Sequence, residues 1–212
     1  MKISVITPTI RPEGLVELQK CLAEQTFTDF EWLVEVGLKK EHDLNKAFNK
    51  MIKRAKGELL VFYQDFIRIE KDGLQKFWDA YKENKDTFIT APVGKSLDYT
   101  NPKWDWRYYK FSEIEWDKWE IDWGACSKDN MYKIGGFDEY LDNFWSCDNL
   151  NAGCRADIEG FKFININNPA IAYDHDAVIE HPFRKDFKPL FNNERMKEFR
   201  DGLKINYLQD SV

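Results

Sequence analysis

The chain has 212 residues, of which 43% are hydrophobic and 32% charged, and this is the balance of a globular domain with a sizeable core. Its net charge of -6 and pI near 5.3 argue against a protein that grips nucleic acid through a basic face. No apolar run approaches the roughly eighteen residues of a membrane span, and the first apolar stretch is too short for a signal peptide. The four cysteines lack metal-ligand spacing, so we expect reduced thiols in a cytoplasmic protein.

The first part of the chain alternates strand and helix patterns. Short apolar and β-branched runs predict strands at Lys2–Thr7, Phe30–Val36, Leu59–Tyr63 and Thr87–Ala91, the first stopped by Pro8 and the last by Pro92. Apolar residues at helical spacing predict helices from Pro12 to Leu22, from Glu41 to Ala55 and from Asp72 to Lys82. This alternation predicts an α/β fold with a parallel sheet, right-handed crossovers and helices on both faces.

The second half has a different pattern. Aromatic residues make up 16% of the chain and crowd between Tyr99 and Trp123 without a clean period, which predicts loops and short strands. These rings could fill a core or form a platform for sugar rings. Further elements are predicted as helices from Ser127 to Gly135-Gly136 and from Ser146 to about Glu159, an edge strand over Phe161–Ile166, a strand over Ile171–Tyr173 and a helix over Asn192–Leu203.

The most informative segment is the third strand, which ends abruptly at Gln64 and Asp65. The carboxyl edge of a parallel sheet is where α/β proteins bind their ligands. Asp65 could therefore hold the metal that neutralises a nucleotide diphosphate. The alternative is a solvent-exposed acid at a strand end.

Four segments, in this order, resemble the family-2 glycosyltransferases with the GT-A fold: Ser4–Thr9, Gly57–Asp65, Gly135–Glu139 and Trp145–Arg155, the last closed by Gly160. The resemblance covers roughly residues 2 to 182. It implies a single GT-A domain over residues 1–212, with a Rossmann-like, mostly parallel central sheet flanked by helices. Residues 1–92 would form the nucleotide-binding half, residues 93–185 an aromatic-rich acceptor-binding half, and residues 186–212 a C-terminal helical tail.

Three departures from the family pattern stand out. Gln64-Asp65-Phe66 replaces the common Asp-x-Asp, and Asp148-Asn149 replaces the common Glu-Asp of the acceptor helix. Two consecutive acids commonly end the second strand, whereas the nearest acid here is Glu35.

The resemblance implies a metal-dependent, inverting transfer of a sugar from a nucleotide-diphosphate sugar to a hydroxyl of a carbohydrate-like acceptor. Mn²⁺ or Mg²⁺ would serve the leaving diphosphate, with Asp65 as first ligand and His181 from a late loop as second. His175 is the rival, and either histidine could instead be a surface loop residue.

Asp148 is the predicted general base, because a carboxylate at the start of a helix facing the donor can take the proton of the attacking hydroxyl. An aspartate is also favoured in a first helical turn by the helix dipole alone. Asn149 cannot take a proton and could position the acceptor.

The remaining predicted contacts divide between donor and acceptor. The nucleotide would meet backbone groups of Thr7, Pro8 and Thr9, the guanidinium of Arg11, and the side chains of Glu35, Asn45, Asn49 and Gln64. Arg11 could equally be a surface charge, and the two asparagines could simply be solvated. Trp123 and Gly124 would form an acceptor wall, with Trp145 stacking on the acceptor sugar.

Two other functions fit parts of the pattern. A nucleotidyltransferase would share the architecture, but no glycine-rich phosphate loop follows the first strand. A non-catalytic carbohydrate- or nucleotide-binding module would explain the reduced acidic motifs.

Overall fold

The computed structural model describes residues 1–37, 43–144, 148–173 and 189–209, and all side chains in those ranges except those of residues 143, 144, 148 and 189–193. The strands are β1 Ile3–Thr9, β2 Phe30–Val36, β3 Leu59–Tyr63, β4 Ile67–Ile69, β5 Thr87–Thr90, β6 Val93–Ser96, β7 Lys103–Trp104, β8 Ser112–Glu113, β9 Trp123–Ser127, β10 Lys162–Asn165 and β11 Ala170–Tyr173. The helices are α1 Leu15–Ala23, α2 Leu44–Arg54, α3 Gly73–Glu83, α4 Lys128–Lys133, α5 Asp148–Ile158 and α6 Pro189–Arg200. Among these, no helix is both long and apolar enough to cross a bilayer.

A seven-stranded sheet in the order β2-β1-β3-β9-β5-β10-β8 forms the centre of the structure. Strands β2, β1, β3, β5 and β10 run in one direction, while β9 and β8 run against them. The prediction of an α/β fold with a mostly parallel sheet is therefore confirmed. A second sheet, in the order β4-β11-β6-β7, lies beside it.

Hydrophobic clusters cover both faces of the central sheet. Side chains of β1 and β3 alternate between them: Val5 belongs to the cluster that includes Phe77 of α3, and Ile6 to the cluster that includes Phe48 of α2. Both clusters contain buried residues from the first and second halves of the chain. This alternation is what burial of a parallel strand on both faces requires.

Strand β1 continues through Pro8, where the sequence predicted its end. It pairs with β2 along its full length but with β3 only as far as Ile6. The Thr9 carbonyl accepts a hydrogen bond from Gly37 on the β2 side, so the neighbouring Pro8 faces the side where pairing has already stopped. A proline there removes no ladder hydrogen bond.

Strand β10 was predicted to be an edge strand, but it lies one position inside the edge of the central sheet, between β5 and β8. The two-residue strand β8 covers its outer side through the Ile164–Glu113 and Asn165–Ser112 pairs. The aromatic segment between Tyr99 and Trp123 supplies β8, and local sequence does not reveal so short a strand.

Strand β9 is a central strand for which the sequence carried no specific prediction. It inserts between β3 and β5, antiparallel to both, and all five of its residues are buried. A Cβ at Gly124 would lie 2.5 Å from the Glu120 carbonyl oxygen and 2.9 Å from that of Ile89. Only glycine allows this approach of three backbone segments.

The Gly135–Glu139 turn anchors the C-terminal segment. Gly135 and Gly136 have φ angles of 79° and 82° and end α4, which Ser127 caps as predicted. Asp138, in the same turn, accepts hydrogen bonds from Arg195 of α6 at 2.8 Å and from the Tyr207 hydroxyl at 3.1 Å.

Three cysteines fall within the described residues, and all are free thiols: Cys21, Cys126 and Cys154. Cys147 lies outside the described residues.

Candidate active site

The carboxyl edge of the central sheet gathers residues from several strands. Because β9 is antiparallel to β3, with Trp123 opposite Tyr63, the residues before β9 lie at the same edge as the residues after β3. The Gln64 N–H donates to the Asp122 carbonyl at 3.4 Å across this edge. Two acids, Glu120 and Asp122, thereby come to the end of the sheet that carries Asp65.

Asp65 is buried and fully engaged. One carboxylate oxygen accepts a hydrogen bond from the Thr9 hydroxyl at 2.5 Å, and the other lies 2.5 Å from Nη2 of Arg11. The Asp65 side chain is only 4% exposed and that of Arg11 24% exposed. The Arg11 guanidinium also lies over the Phe66 ring. Asp65 is therefore not a solvent-exposed strand-end acid, and Arg11 is not a free surface charge.

The oxygen atoms at this position suit a hard divalent cation. Asp65 offers a carboxylate and Thr9 a hydroxyl, which are ligand types that Mg²⁺ and Mn²⁺ prefer. Within the described parts of the chain, no group of three or more His, Cys, Asp and Glu side chains forms a metal cluster. His175 and His181 both lie outside the described residues. A cation on Asp65 would have to replace Arg11 there.

Two further side chains among the predicted donor contacts, Thr7 and Glu35, are occupied by protein partners. The Thr7 hydroxyl accepts from Nε1 of Trp32 at 2.9 Å, which leaves the backbone of Thr7 and Pro8 as possible donor contacts. Glu35 bonds to Lys50 at 3.0 Å and to Arg54 at 3.4 Å. It thus ties β2 to α2.

Asn45 and Asn49 do not reach a nucleotide, and this part of the prediction is wrong. Asn49 is 1% exposed, accepts from the Phe137 N–H at 2.8 Å, and donates to the Phe137 carbonyl and to Glu139, both at 2.9 Å. Asn45 is also 1% exposed and donates to Asp142 at 3.0 Å. Both asparagines connect α2 to the segment that follows the Gly-Gly turn, so they are neither solvated nor ligand contacts.

Replacing Asn49 with alanine should destabilise the protein by about 3 kcal/mol, because a buried N–H and a buried carbonyl of Phe137 both lose their partner. Urea denaturation of both proteins measures the difference. Gln75→Ala is the matched control, since it removes an exposed amide that bonds to Asp79 on the surface of α3 and should cost no more than about 0.5 kcal/mol. Equal midpoints for the two variants would contradict the structural role of Asn49.

Trp123 and Gly124 do not form an acceptor wall. Trp123 is 0% exposed, and its indole N–H donates to the Asn168 carbonyl at 2.9 Å. Its ring packs edge-on against Phe77 at a centroid distance of 4.6 Å. The close backbone approach that Gly124 permits is to Glu120 and Ile89 of the chain itself. Both residues belong to the core, because β9 is a central strand.

The start of α5 is bound to the segment before β9. The Asn149 amide donates to the Trp119 carbonyl at 2.9 Å and to Oε2 of Glu120 at 3.0 Å. The first turn of α5 therefore lies beside the sheet edge that carries Glu120 and Asp122. Asp148 begins α5, but its side chain is outside the described set, and Trp145 lies outside the described residues.

Glu120 is a candidate functional residue that sequence reasoning missed. Burial, followed by the neighbouring Asp122 carboxylate, raises the pKa of Glu120 to about 7, while Arg107 and Lys118 act in the opposite direction. The detectable signal was the alternation in the run from Trp119 to Trp123, in which three buried apolar residues flank two acids. In an extended backbone, such a period of two predicts that both acids point to the side opposite the buried residues.

The aromatic residues divide between the two interpretations that the sequence left open. Trp119 and Trp123 are fully buried. Four rings of the segment before Glu120 are exposed: Trp106, Tyr108, Tyr109 and Phe111. Among them Tyr108 stacks on Trp104 at a centroid distance of 4.3 Å.

Comparison with known proteins gives no match by sequence, either to a protein-family model or to a curated protein. Solved structures do match by fold. Staphylococcus aureus TarS superposes with a TM-score of 0.65 at 15% identity, over 95% of this chain and 43% of that one, so this chain spans less than half of the full TarS chain. Residues 1–349 of TarS in complex with UDP-GlcNAc give a TM-score of 0.64 at 16% identity, over 94% of this chain and 72% of that one.

A further neighbour is GalNAc-T7 with UDP, GalNAc and Mn²⁺, with a TM-score of 0.59 at 10% identity, over 81% of this chain and 43% of that one. TarS and GalNAc-T7 are glycosyltransferase structures of the GT-A type. Together with the central sheet described above, these matches show that the chain has the GT-A glycosyltransferase fold.

Proposed function

We propose that this chain transfers a sugar from a nucleotide-diphosphate sugar to a hydroxyl group of a carbohydrate-like acceptor, with inversion at the anomeric carbon and with Mn²⁺ or Mg²⁺. The observation that carries the proposal is the cluster at the carboxyl edge of a GT-A sheet, where Asp65 is buried against Thr9 and Arg11. Ligand sites of open α/β sheets lie at this edge. The UDP and UDP-GlcNAc complexes of the neighbours favour a uridine nucleotide as donor.

On the donor side, the end of β1 would contact the nucleotide through backbone groups of Thr7 and Pro8. The Gln64 side chain would hydrogen-bond the ribose or a phosphate. A bound Mn²⁺ or Mg²⁺ ion would neutralise charge on the departing diphosphate. Asp65 would hold that ion, with His181 or His175 as the second protein ligand. Arg11, once replaced on Asp65, has the charge and the fork geometry to bind a phosphate oxygen.

On the acceptor side, inversion requires that the hydroxyl loses its proton to a carboxylate on the opposite side of the crevice. The sequence predicts Asp148 for this role, with Asn149 positioning the acceptor and Trp145 stacking on it. The exposed rings at Trp106 and Tyr108 are suited to pack against a sugar chain.

Thermal-shift measurements with UDP-, GDP- and dTDP-sugars, each with Mn²⁺ or Mg²⁺, test the donor class. One nucleotide class should raise the melting temperature. At a ligand concentration of 100 times Kd, binding increases the free energy of unfolding by about 2.7 kcal/mol. UDP-GlcNAc is the first probe, and release of UDP from it measures turnover. No stabilisation by any nucleotide sugar would contradict the proposal.

Binding without turnover would favour the alternative, a non-catalytic binding module. Two observations favour this alternative. Asp65 is paired with Arg11, and Asn149, which cannot take a proton, replaces the acid that is common at this position of the family. The turnover measurement separates it from the enzyme.

A further inference from the structure

Glu120 lies in the segment just before β9, at the edge of the central sheet. Its neighbours Trp119 and Ile121 are buried at 0% and 6% exposure, and Glu120 itself is partly buried. The Glu120 carbonyl accepts a hydrogen bond from the Thr90 hydroxyl at the end of β5, at 3.1 Å. Gly124 lets the same carbonyl approach β9 closely. The backbone at Glu120 is thus held by contacts with two central strands.

The two oxygen atoms of the Glu120 carboxylate have different surroundings in the described part of the chain. Oε2 accepts from the Asn149 amide at 3.0 Å, and the same amide is held by the Trp119 carbonyl. For Oε1, no hydrogen bond is found among the described residues. The carboxylate is therefore oriented through Oε2, and none of the described residues occupies Oε1.

The charged groups around Glu120 are of both signs. Asp122 and Asp105 repel a negative charge there, and Arg107 and Lys118 attract one. Arg107 is committed to Asp105 at 2.5 Å and to the Thr90 hydroxyl at 3.1 Å. A partly buried glutamate next to a second acid, with Arg107 already paired to Asp105, costs stability and calls for a functional explanation.

We propose that Glu120 accepts the proton of the acceptor hydroxyl in the glycosyl transfer. This inference rests on the proposed function. The acceptor oxygen forms a bond to the anomeric carbon as the bond from that carbon to the diphosphate oxygen breaks. The electron pair of the broken bond leaves with the nucleotide diphosphate, and the hydroxyl proton passes to Oε1 of Glu120. Asn149 is a positioning residue, because it holds Oε2.

Two physical arguments favour Glu120 over Asp148 for this step. A base whose pKa lies near 7 is matched to proton transfer at neutral pH, and Glu120 is such a group. An aspartate at the first position of a helix is stabilised there by the helix dipole and needs no catalytic explanation.

The test compares three variants in the release of UDP from UDP-GlcNAc with Mn²⁺, or from the sugar nucleotide that the thermal-shift screen selects. Glu120→Gln should lower kcat about 100-fold with the donor KM unchanged, and should remove the acidic limb of the pH profile near pH 7. Asp148→Asn should lower kcat by no more than about 10-fold. Glu115→Gln makes the same chemical change at an exposed residue of the same segment and should leave kcat unchanged.

A stability measurement adds a readout that does not depend on activity. The folded protein holds the Glu120 proton up to about pH 7, whereas the unfolded chain releases it near pH 4.5. Stability from this residue is therefore full below about pH 4.5 and is lost as the pH rises through about 7. At pH 8, Glu120→Gln should raise the folding equilibrium constant roughly 300-fold. Asp142, whose pKa burial raises to about 6, contributes a slope of the same sign that remains in the variant.

The outcomes separate the two proposals. Turnover by Glu120→Gln within about threefold of the native rate overturns the role of Glu120 and leaves the proposed function standing. A larger loss in Asp148→Asn than in Glu120→Gln returns the role to Asp148. No turnover by the native chain with any nucleotide sugar overturns both proposals. An unchanged pH dependence of stability in Glu120→Gln would contradict the raised pKa of Glu120 and with it the role of Glu120 as a base.

Discussion

Replacing Asp65 with asparagine should lower the rate of sugar transfer about 1,000-fold, equivalent to about 4 kcal/mol of transition-state stabilisation. Asparagine keeps the size of the side chain but removes the charge that would hold a divalent cation against the leaving diphosphate. The variant should also lose the extra thermal stabilisation that Mn²⁺ gives together with a nucleotide. Titration of Mn²⁺ and UDP in a thermal-shift assay measures this second effect without any turnover.

The Arg11–Asp65 ion pair allows a second test of Asp65 as the metal ligand. Arg11 and a metal ion compete for the same carboxylate, since both Asp65 oxygens are engaged at 2.5 Å by Arg11 and Thr9. Arg11→Met should therefore bind Mn²⁺ alone more tightly than the native protein does. It should also be less stable by about 3 kcal/mol, because a nearly buried carboxylate loses its cation.

Glu35→Gln is the control for both variants. Glu35 is the other acid that the sequence suggested for nucleotide binding, but it forms exposed ion pairs with Lys50 and Arg54. Its loss should cost less than about 1 kcal/mol and leave the Mn²⁺ response intact. A Mn²⁺ response that persists in Asp65→Asn would show that the metal is held by other residues.

Gly124→Ala should destabilise the protein by about 3 kcal/mol or more, which lowers the melting temperature by roughly 10 °C. The new methyl group would lie 2.5 Å from the Glu120 carbonyl oxygen and 2.9 Å from that of Ile89. Both atoms are backbone, so a side-chain rotation cannot relieve the overlap. Calorimetry or urea denaturation measures the loss.

The same substitution elsewhere provides the control. A Cβ at Gly37 would meet the Ile10 side chain at 3.5 Å, an ordinary contact, so Gly37→Ala should stay within about 0.5 kcal/mol of the native stability. If the two variants melted together, the close packing of β9 between its neighbours would be wrong. A stable Gly124→Ala protein would also remove the argument that Glu120 is fixed by β9.

The accuracy of the sequence-based predictions depended on how local each signal was. Strands β2 and β3 have the predicted bounds, because compact apolar runs with polar ends specify a buried strand within a few residues. Strand β9 gave no such signal, since glycine, alanine, cysteine and serine have little intrinsic preference for strands. Its position between β3 and β5 makes it a strand.

The candidate site shows the same division. The placement of Asp65 at the end of a buried strand followed from the sequence alone, and so did the α/β architecture around it. The bonds of Asn49 to a turn 88 residues away did not, because a polar residue on a helix looks the same in sequence whether water or protein satisfies it.

By itself, the sequence determined the alternation of strands and helices in the first half of the chain, the mostly parallel sheet and the acid at its edge, because periodicity and turn residues act over short distances. Only the tertiary structure decided that Arg11 forms an ion pair with Asp65, that Trp123 lies in the core and that Glu120 accepts a hydrogen bond from Asn149. Each of these depends on contacts between distant segments. Burial and charge at such contacts set the chemistry of a carboxylate, and neither can be read from the residues beside it.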